Sequence, residues 1–362
     1  MPITPHFLFY MVLFKSMMFL SVSTESLNQA AQIIIQGGLV AFPTETVYGL
    51  GASAFNPQAI AKIFEAKGRP SFDPLIIHIA FFGALEQVAD LSLLSSEIRN
   101  KLLLLVKNLW PGPLSIVLPK NKKIPGIATA GLSTAAIRFP DHEAALKMIS
   151  MSGGAVAAPS ANPFGCLSPT RAEHVRKSLG KKIDMILDGG PTRIGLESTV
   201  LDITGEKIKI LRPGGTPKEE IEKLIGAVQD SSSNEEINPN DSLVSPGQLK
   251  NHYMPRKPLS VFSREDIVRI PYEMGAAFLF YDGSARNEWF EKQGQKIPNT
   301  AVIKVLSETG SAQEAASHLF EILHKFDYYI ITHIIAQLAP PQGLGIAIND
   351  RLIRGSASPP AN

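Results

Sequence analysis

Cysteine is nearly absent from this chain of 362 residues, since Cys166 is the only one. A single thiol excludes an internal disulfide, and no His/Cys spacing in the sequence is typical of a zinc site. Because disulfides belong to oxidising compartments, this composition favours a cytoplasmic protein. With 44% hydrophobic residues the chain can bury a full core, and its length favours two domains.

Several common catalytic motifs are missing as well. The sequence has no Walker A loop, no HExxH and no G-x-S-x-G, and Gly343 and Gly345 lack the third glycine of a GxGxxG. A nucleotide would therefore have to be held in another way. The net charge of +2 is too small for electrostatics alone to indicate a nucleic-acid-binding protein.

The N-terminus carries an apolar run over residues 7–20, interrupted only by Lys15 and Ser16. This run is shorter than the roughly 20 residues that a membrane helix needs, and it lacks the basic n-region of a signal peptide. We interpret residues 1–21 as a dispensable N-terminal extension and expect no membrane association.

Short apolar runs then alternate with helical patterns, which is typical of mixed α/β layering. The predicted strands of the first part are 38–42, 75–80, 114–118, 135–139, 155–158, 185–187, 199–203 and 208–211. Helix starts are indicated where a side-chain acceptor precedes a proline, at Asn56-Pro57, Ser168-Pro169 and Thr216-Pro217.

Residues 229–257 are rich in Asp, Ser, Asn, Pro and Gly, which is the composition of a linker. A second β/α alternation follows, with predicted strands 259–262, 276–281, 301–305 and 328–331, a helix capped by Ser311 and a last helix after Gly345. The sequence therefore predicts an α/β (mixed α+β) protein. Its parts are a large domain of residues 22–228 with a twisted mixed sheet, the linker, and a smaller Rossmann-like β/α domain of residues 258–356.

Polar segments follow the predicted strands of the large domain, where α/β proteins usually place ligands. There are six of them: Pro43–Leu50, Lys67–Pro70 with His78, Ser133–Arg138, Pro159–Asn162 with Ser168–Thr170, Glu197–Thr199, and Leu211–Gly214. Each segment alone is explained most simply by solvated charges, a buried core histidine, or turn and cap chemistry.

Together, the six segments resemble the threonylcarbamoyl-AMP synthase family, the YrdC-type proteins, in order from residue 37 to residue 215. Lys67 and Arg69 match its KxR motif, and Ser160 and Asn162 match its SxN motif. Segments 252–255 and 343–352 are similar to the linker and C-terminal signatures of the longer, two-domain form. The resemblance implies a YrdC-like large domain that joins L-threonine, bicarbonate and ATP into threonylcarbamoyl-AMP and releases pyrophosphate.

The resemblance also implies roles for particular residues. The catalytic set is Lys67, Arg69, Ser160 and Asn162, with Lys67 and Arg69 at the phosphates. ATP would be bound by Lys67, Ser71, Thr134, Ser160, Ser168, Arg212 and Tyr253. Threonine would be bound by Thr44, His78, Arg138, Ala158 and Ser198, with Arg138 facing the carboxylate. Mg2+ is expected with the triphosphate and without metal ligands from the protein, and His252-Tyr253 is expected to fold back over the site as a lid.

The implied downstream partner is a separate tRNA threonylcarbamoyl transferase complex that modifies the adenosine next to the anticodon, and direct contact with tRNA stays open. One alternative is a double-stranded RNA or tRNA binding module without this activity, which would need a contiguous basic face. A second is a carbamoyl-transfer maturation enzyme with a related domain. Such enzymes carry zinc-finger-like cysteines and acylphosphatase segments, and this sequence has neither.

Overall fold

The computed structural model of the chain describes residues 17–230, 252–293 and 297–356. The strands of the large domain are β1 (Met18–Ser21), β2 (Val40–Phe42), β3 (Gly49–Ser53), β4 (Ile76–Ile79), β5 (Leu114–Pro119), β6 (Thr134–Arg138), β7 (Ala155–Ala157), β8 (Met185–Asp188), β9 (Thr199–Asp202), β10 (Lys209–Arg212) and β11 (Gln229–Asp230). They form one sheet in the order β1-β8-β2-β3-β7-β4-β6-β5-β9-β10-β11, with parallel and antiparallel neighbours. The predicted mixed sheet is confirmed.

Helices cover both faces of this sheet. They are α1 (Thr24–Ile35), α2 (Pro57–Lys67), α3 (Leu85–Val88), α4 (Ser96–Leu109), α5 (Glu143–Met151), α6 (Ala172–Leu179) and α7 (Lys218–Ile225). Successive strand residues point to opposite faces. On β2, Val40 and Phe42 pack with α1 and α5, whereas Ala41 belongs to the core that includes α2, α4 and α6.

The small domain has a four-stranded sheet in which all pairs are parallel. Its strands are β12 (Leu259–Phe262), β13 (Ala276–Asp282), β14 (Val302–Ser307) and β15 (His333–Gln337), in the order β12-β15-β13-β14. Its helices are α8 (Arg264–Ile267), α9 (Gly283–Gln293), α10 (Ala312–Phe326) and α11 (Leu344–Ser356). Helices on both faces of a parallel sheet are the predicted Rossmann-like arrangement.

The predicted end of the N-terminal extension, residue 21, lies too late in the chain. Residues Met18–Ser21 pair in parallel with β8, with Met18 opposite Met185, so they belong to the sheet of the large domain. The rest of the extension, up to residue 16, lies outside the described residues. Within the described ranges, no helix is long and apolar enough to cross a membrane.

The last strand of the small domain was predicted too early in the chain, at 328–331. Tyr328 and Ile330 are exposed, because the chain turns there before it joins the sheet. The turn ends where the Thr332 N–H donates to the Gly275 carbonyl, and the strand then runs over His333–Gln337.

Two of the three predicted helix starts also need correction. Asn56 caps α2 as predicted, since its side chain accepts from the Gln58 and Ala59 N–H groups. Ser168 caps no helix, because its hydroxyl donates to Glu197 and α6 starts only at Ala172. Helix α7 starts at Lys218 without a side-chain cap from Thr216.

The two domains share part of one core. Leu167 and Leu196 of the large domain lie in the same buried cluster as Phe320 of α10 and Tyr253. Gly195 permits this contact, because a Cβ at its position would lie 2.6 Å from the carbonyl oxygen of Ala316 on α10. Loops of the large domain are therefore fixed directly against the small domain, and the candidate site lies at this junction.

Candidate active site

Two of the candidate residues, His78 and Arg138, are directly opposite each other on neighbouring strands of the large sheet. His78 on β4 is in register with Arg138 on β6, and Arg138 is in register with Ser115 on β5. Residues directly opposite on neighbouring strands project to the same face, so all three lie under the same part of the surface. His78 and Arg138 line a cavity there.

This cavity brings together most of the candidate residues. All residues expected to bind threonine line it, namely Thr44, His78, Arg138, Ala158 and Ser198. From the ATP and catalytic sets, Arg69, Ser160, Arg212 and Tyr253 line it as well. Thr46, Glu197 and His252, for which the resemblance implied no ligand contact, also line the cavity.

The other candidates lie outside the cavity lining: Lys67, Ser71, Thr134, Asn162 and Ser168. Lys67 is buried, and its Nζ donates to the carbonyl oxygens of Ser160, at 2.6 Å, and of Asn162. Burial holds the Lys67 pKa well below its usual value. In this structure the lysine therefore fixes the turn that presents Ser160, rather than facing the cavity itself.

Asn162 has a similar supporting contact. Its Nδ2 donates to the carbonyl oxygens of Pro163 and Cys166, each at 2.9 Å. Ser71 is exposed and Thr134 half-buried, and neither touches the cavity. The SxN motif thus contributes Ser160 to the cavity and Asn162 to the loop behind it.

Three buried arginines converge on the cavity. Arg69 pairs with Asp73 at 2.8 Å, and Arg138 pairs with Glu45 at 2.6 Å. Arg212 donates to the Ser198 carbonyl at 2.8 Å. Burial lowers the pKa of both Arg69 and Arg212, and the charge of Arg212 lowers that of Arg69 further. A cluster of buried cations favours anionic ligands.

The side of the cavity near His78 is different, because it offers hydrogen-bond acceptors. Burial and then the Arg138 charge lower the His78 pKa to about 3, so the ring is neutral. Its Nδ1 lies 3.3 Å from the Ile76 carbonyl, which accepts the ring proton and leaves Nε2 as an acceptor. Thr44 donates to the Val47 carbonyl at 2.6 Å and accepts from the Thr46 hydroxyl and, at 3.2 Å, from the Thr46 N–H, so both of its lone pairs are used within the loop. Of the two threonine hydroxyls, the Thr46 oxygen is therefore the one that can accept from a ligand.

His252 and Tyr253, at the end of the linker, line the cavity, and their role as a lid stays a prediction. Both are buried, and Tyr253 has a left-handed backbone with φ of 65°. Its ring lies under the guanidinium of Arg351, 5.0 Å from the ring centroid, and burial raises the pKa of its hydroxyl to about 12. Within the described part of the chain, this hydroxyl has no hydrogen-bond partner.

Glu197 joins the cavity to the small domain. It accepts from Ser168 and, at 2.9 Å, from Arg351 of α11. Burial raises the Glu197 pKa, but the charges of Arg351 and Arg212 outweigh it and hold the pKa below its usual value. Gly214 allows this packing, since a Cβ there would lie 2.4 Å from the Glu197 carbonyl oxygen.

Two family models match the chain. The Sua5/YciO/YrdC model, which carries the description "telomere recombination", matches residues 32–214. The model for the C-terminal domain of threonylcarbamoyl-AMP synthase matches residues 216–357.

Curated relatives match over nearly the whole chain. A threonylcarbamoyl-AMP synthase of Pyrococcus abyssi is 42% identical, covering 90% of this chain and 93% of the relative. That of Bacillus subtilis is 41% identical, covering 93% and 94%. That of Schizosaccharomyces pombe is 34% identical, covering 92% and 88%.

The fold has a solved counterpart of similar length. The crystal structure of P. abyssi Sua5 complexed with L-threonine matches with a TM-score of 0.80 and 38% identity. The match covers 94% of this chain and 97% of that one. A variant of the same P. abyssi protein, in which a histidine and the following tyrosine are replaced by alanine, matches with a TM-score of 0.77.

Proposed function

The chain belongs to the threonylcarbamoyl-AMP synthase family, and we propose that it joins L-threonine, bicarbonate and ATP into threonylcarbamoyl-AMP inside the cavity described above. The observation that carries this proposal is the convergence of Arg69, Arg138 and Arg212 on one cavity. The reaction assembles a carboxylate, a carbamate and a triphosphate, whose negative charges repel one another. Fixed cations that neutralise and position these groups are the main requirement for catalysis.

Threonine takes its orientation from the two sides of the cavity. Its carboxylate lies toward Arg138 and Ser198, which are donors, and its amine and hydroxyl lie toward His78 Nε2 and the Thr46 oxygen, which are acceptors. Ala158 and the buried Ile76 give the methyl group an apolar surface. Reversing the amino acid would place its carboxylate against acceptors, at a cost of lost hydrogen bonds and repulsion.

ATP binds on the opposite side, between Arg69, Arg212, Ser160 and Tyr253. The threonine amine forms an N–C bond to the bicarbonate carbon, and the amine proton and the bicarbonate hydroxide leave as water to give a carbamate. A carbamate oxygen then attacks the α-phosphate, and the bond to the bridging α–β oxygen breaks as pyrophosphate leaves. Arg69 and Arg212 stabilise the charge on the phosphates. Lys67 and Asn162 act through the Ser160 loop that they hold.

Mg2+ binds together with ATP in the proposed reaction. In the described ranges, no group of three or more His, Cys, Asp or Glu side chains could hold a metal ion. Glu197 lines the cavity and pairs with Arg351, and Glu45 and Asp73 pair with two of the arginines that line it. These residues fit an ion held by phosphate oxygens and water, and they do not fit a metal cage made by the protein.

We place the protein in the cytoplasm and propose that its product passes to a separate transferase complex that modifies tRNA. Threonylcarbamoyl-AMP is a mixed anhydride, which hydrolyses in water. Closure of the cavity by His252 and Tyr253 would protect it until release.

The test is pyrophosphate release from ATP by the full chain, with threonine and bicarbonate each omitted in turn. We expect release only when both are present. Equal release without either one would overturn the proposal, and salt-sensitive RNA binding without this activity would favour the RNA-binding alternative.

A further inference from the structure

We propose that Ser115, a buried serine of β5 outside the candidate set, is a positioning residue that turns the Ser198 hydroxyl into a donor to the threonine carboxylate. The inference rests on the proposed function and adds to it a residue that makes no contact with substrate. It starts from a single hydroxyl pair, in which Ser115 Oγ lies 2.8 Å from Ser198 Oγ.

The sheet places Ser115 directly behind the cavity wall. Ser115 is opposite Arg138 in the antiparallel pair of β5 and β6, so both side chains project from the same face. Arg138 reaches the cavity, but Ser115 is fully buried and Ser198 lies between it and the cavity. Ser115 therefore acts on a ligand only through Ser198.

Counting protons and lone pairs fixes the direction of this hydrogen bond. A serine hydroxyl has one proton and two acceptor lone pairs. Among the described residues, Ser198 Oγ is the hydrogen-bond partner of the Ser115 hydroxyl, so Ser115 satisfies its buried proton by donating to Ser198. Arg212 Nη2 also donates to Ser198 Oγ, at 3.2 Å.

Both Ser198 lone pairs are then occupied by protein donors, and its own proton remains for the cavity. Ser198 can donate there but cannot accept. A hydroxyl donor in a cavity lined by Arg138 and Arg212 fits an anionic oxygen. Ser115, which holds Ser198, is opposite Arg138 on the neighbouring strand, so we assign that oxygen to the threonine carboxylate. Without Ser115, the Ser198 hydroxyl would be free to rotate away.

A double-mutant cycle tests the inference. Ser115→Ala in the full chain should raise the threonine KM about three- to ten-fold, the effect of losing one oriented hydrogen bond. The ATP KM and kcat should change less than about two-fold. In a Ser198→Ala background, adding Ser115→Ala should leave the threonine KM unchanged, because no hydroxyl remains to be oriented.

Ser152→Ala is the matched control. Ser152 is also a buried serine of the large domain, and its hydroxyl donates to the Ile149 carbonyl, at 3.1 Å, at the end of α5. This variant should lose comparable thermal stability without a change in the threonine KM. If Ser115→Ala does not melt cooperatively, Ser115→Cys replaces it, and its weaker S–H donor should give a smaller but still Ser198-dependent rise.

Equal effects of the Ser115 substitution in both backgrounds, or equal rises in the threonine and ATP KM, would overturn the inference. These results differ from a failure of the proposed function, in which the unsubstituted chain itself would show no threonine-dependent release of pyrophosphate.

Discussion

Arg351 of the small domain donates to Glu197 in the wall of the cavity, with 2.9 Å between Nε and the carboxylate oxygen. The Arg351 side chain is fully buried, and the same guanidinium lies over the Tyr253 ring. Arg351 of α11 thus contacts both an acidic residue of the cavity and Tyr253, which also lines it. The small domain therefore contributes directly to the shape of the site.

Replacing Arg351 should cost more than replacing its neighbour on the same helix. Arg351→Ala leaves the Glu197 carboxylate buried without its cation, which typically costs about 3–5 kcal/mol of unfolding free energy. Arg354→Ala removes a partly exposed pair with Asp350, worth about 0–1 kcal/mol. Chemical denaturation of both variants measures the difference, and similar small losses would show that the Arg351 contact is not structurally important.

Arg138→Lys should weaken threonine binding more than ATP binding. Lysine keeps a positive charge beside Glu45 but loses the planar fork that suits a carboxylate. We expect the threonine KM to rise by about ten-fold or more and the ATP KM by less than about three-fold. Arg193→Lys is the control, because Arg193 pairs with Asp141 on the surface. A selective rise in the ATP KM would reverse the assignment of the two sides.

Tyr253→Phe tests whether the tyrosine hydroxyl binds the nucleotide. The ring belongs to the buried core at the domain junction, so an alanine substitution would disturb folding as well as binding. Phenylalanine removes only the hydroxyl, which has no partner within the described ranges. The unliganded melting temperature should stay the same or rise, while the ATP Kd should increase about three- to ten-fold. Calorimetry showing unchanged ATP affinity would remove the hydroxyl from the ATP site.

A stacked histidine pair at the domain junction should make stability fall with acid. The rings of His174 and His324 are 3.9 Å apart, and burial lowers their pKa values to about 3 and about 4. Both are neutral in the folded protein at pH values where the unfolded chain, with a histidine pKa of about 6.5, binds protons. The unfolded state therefore gains relative stability as the pH falls below about 6.5.

His324→Gln isolates the contribution of one of these rings, since glutamine stays neutral and can still donate to the Ser168 carbonyl. The charges around the pair are Arg171, Lys177, Arg256 and Glu321, and the substitution leaves them in place. The free energy of unfolding should fall between pH 7 and pH 4.5 in both proteins. The fall should be smaller in the variant, by up to about 2–3 kcal/mol. Parallel pH profiles of the two proteins would contradict this.

The elements that the sequence predicts well have strong local signals. Apolar runs located most strands of the large sheet, and the Asn56-Pro57 pair located the start of α2. Strand β3 was missed because its sequence, Gly49–Ser53, is rich in glycine and lacks β-branched residues. Its conformation comes from pairing with β2 and β7, which no local pattern records.

In the candidate site, too, some residues have a signal in the sequence, whereas the contacts between them have none. The motif resemblance indicated Arg69, Arg138, Ser160, Ser198 and Arg212, which the cavity brings together. The contacts that organise these residues join distant parts of the chain, such as Ser115 with Ser198 and Glu197 with Arg351, separated by 83 and 154 residues. A single sequence contains no signal for such pairs.

Double isotope labelling shows whether the protein joins all three substrates in one product. The full chain is incubated with ATP, 13C-bicarbonate and 15N-threonine, and the adenylate is analysed at once by mass spectrometry. If all three substrates are joined, the adenylate carries both labels, and one pyrophosphate is released for each adenylate formed. Pyrophosphate release with an adenylate that lacks the bicarbonate carbon would contradict it.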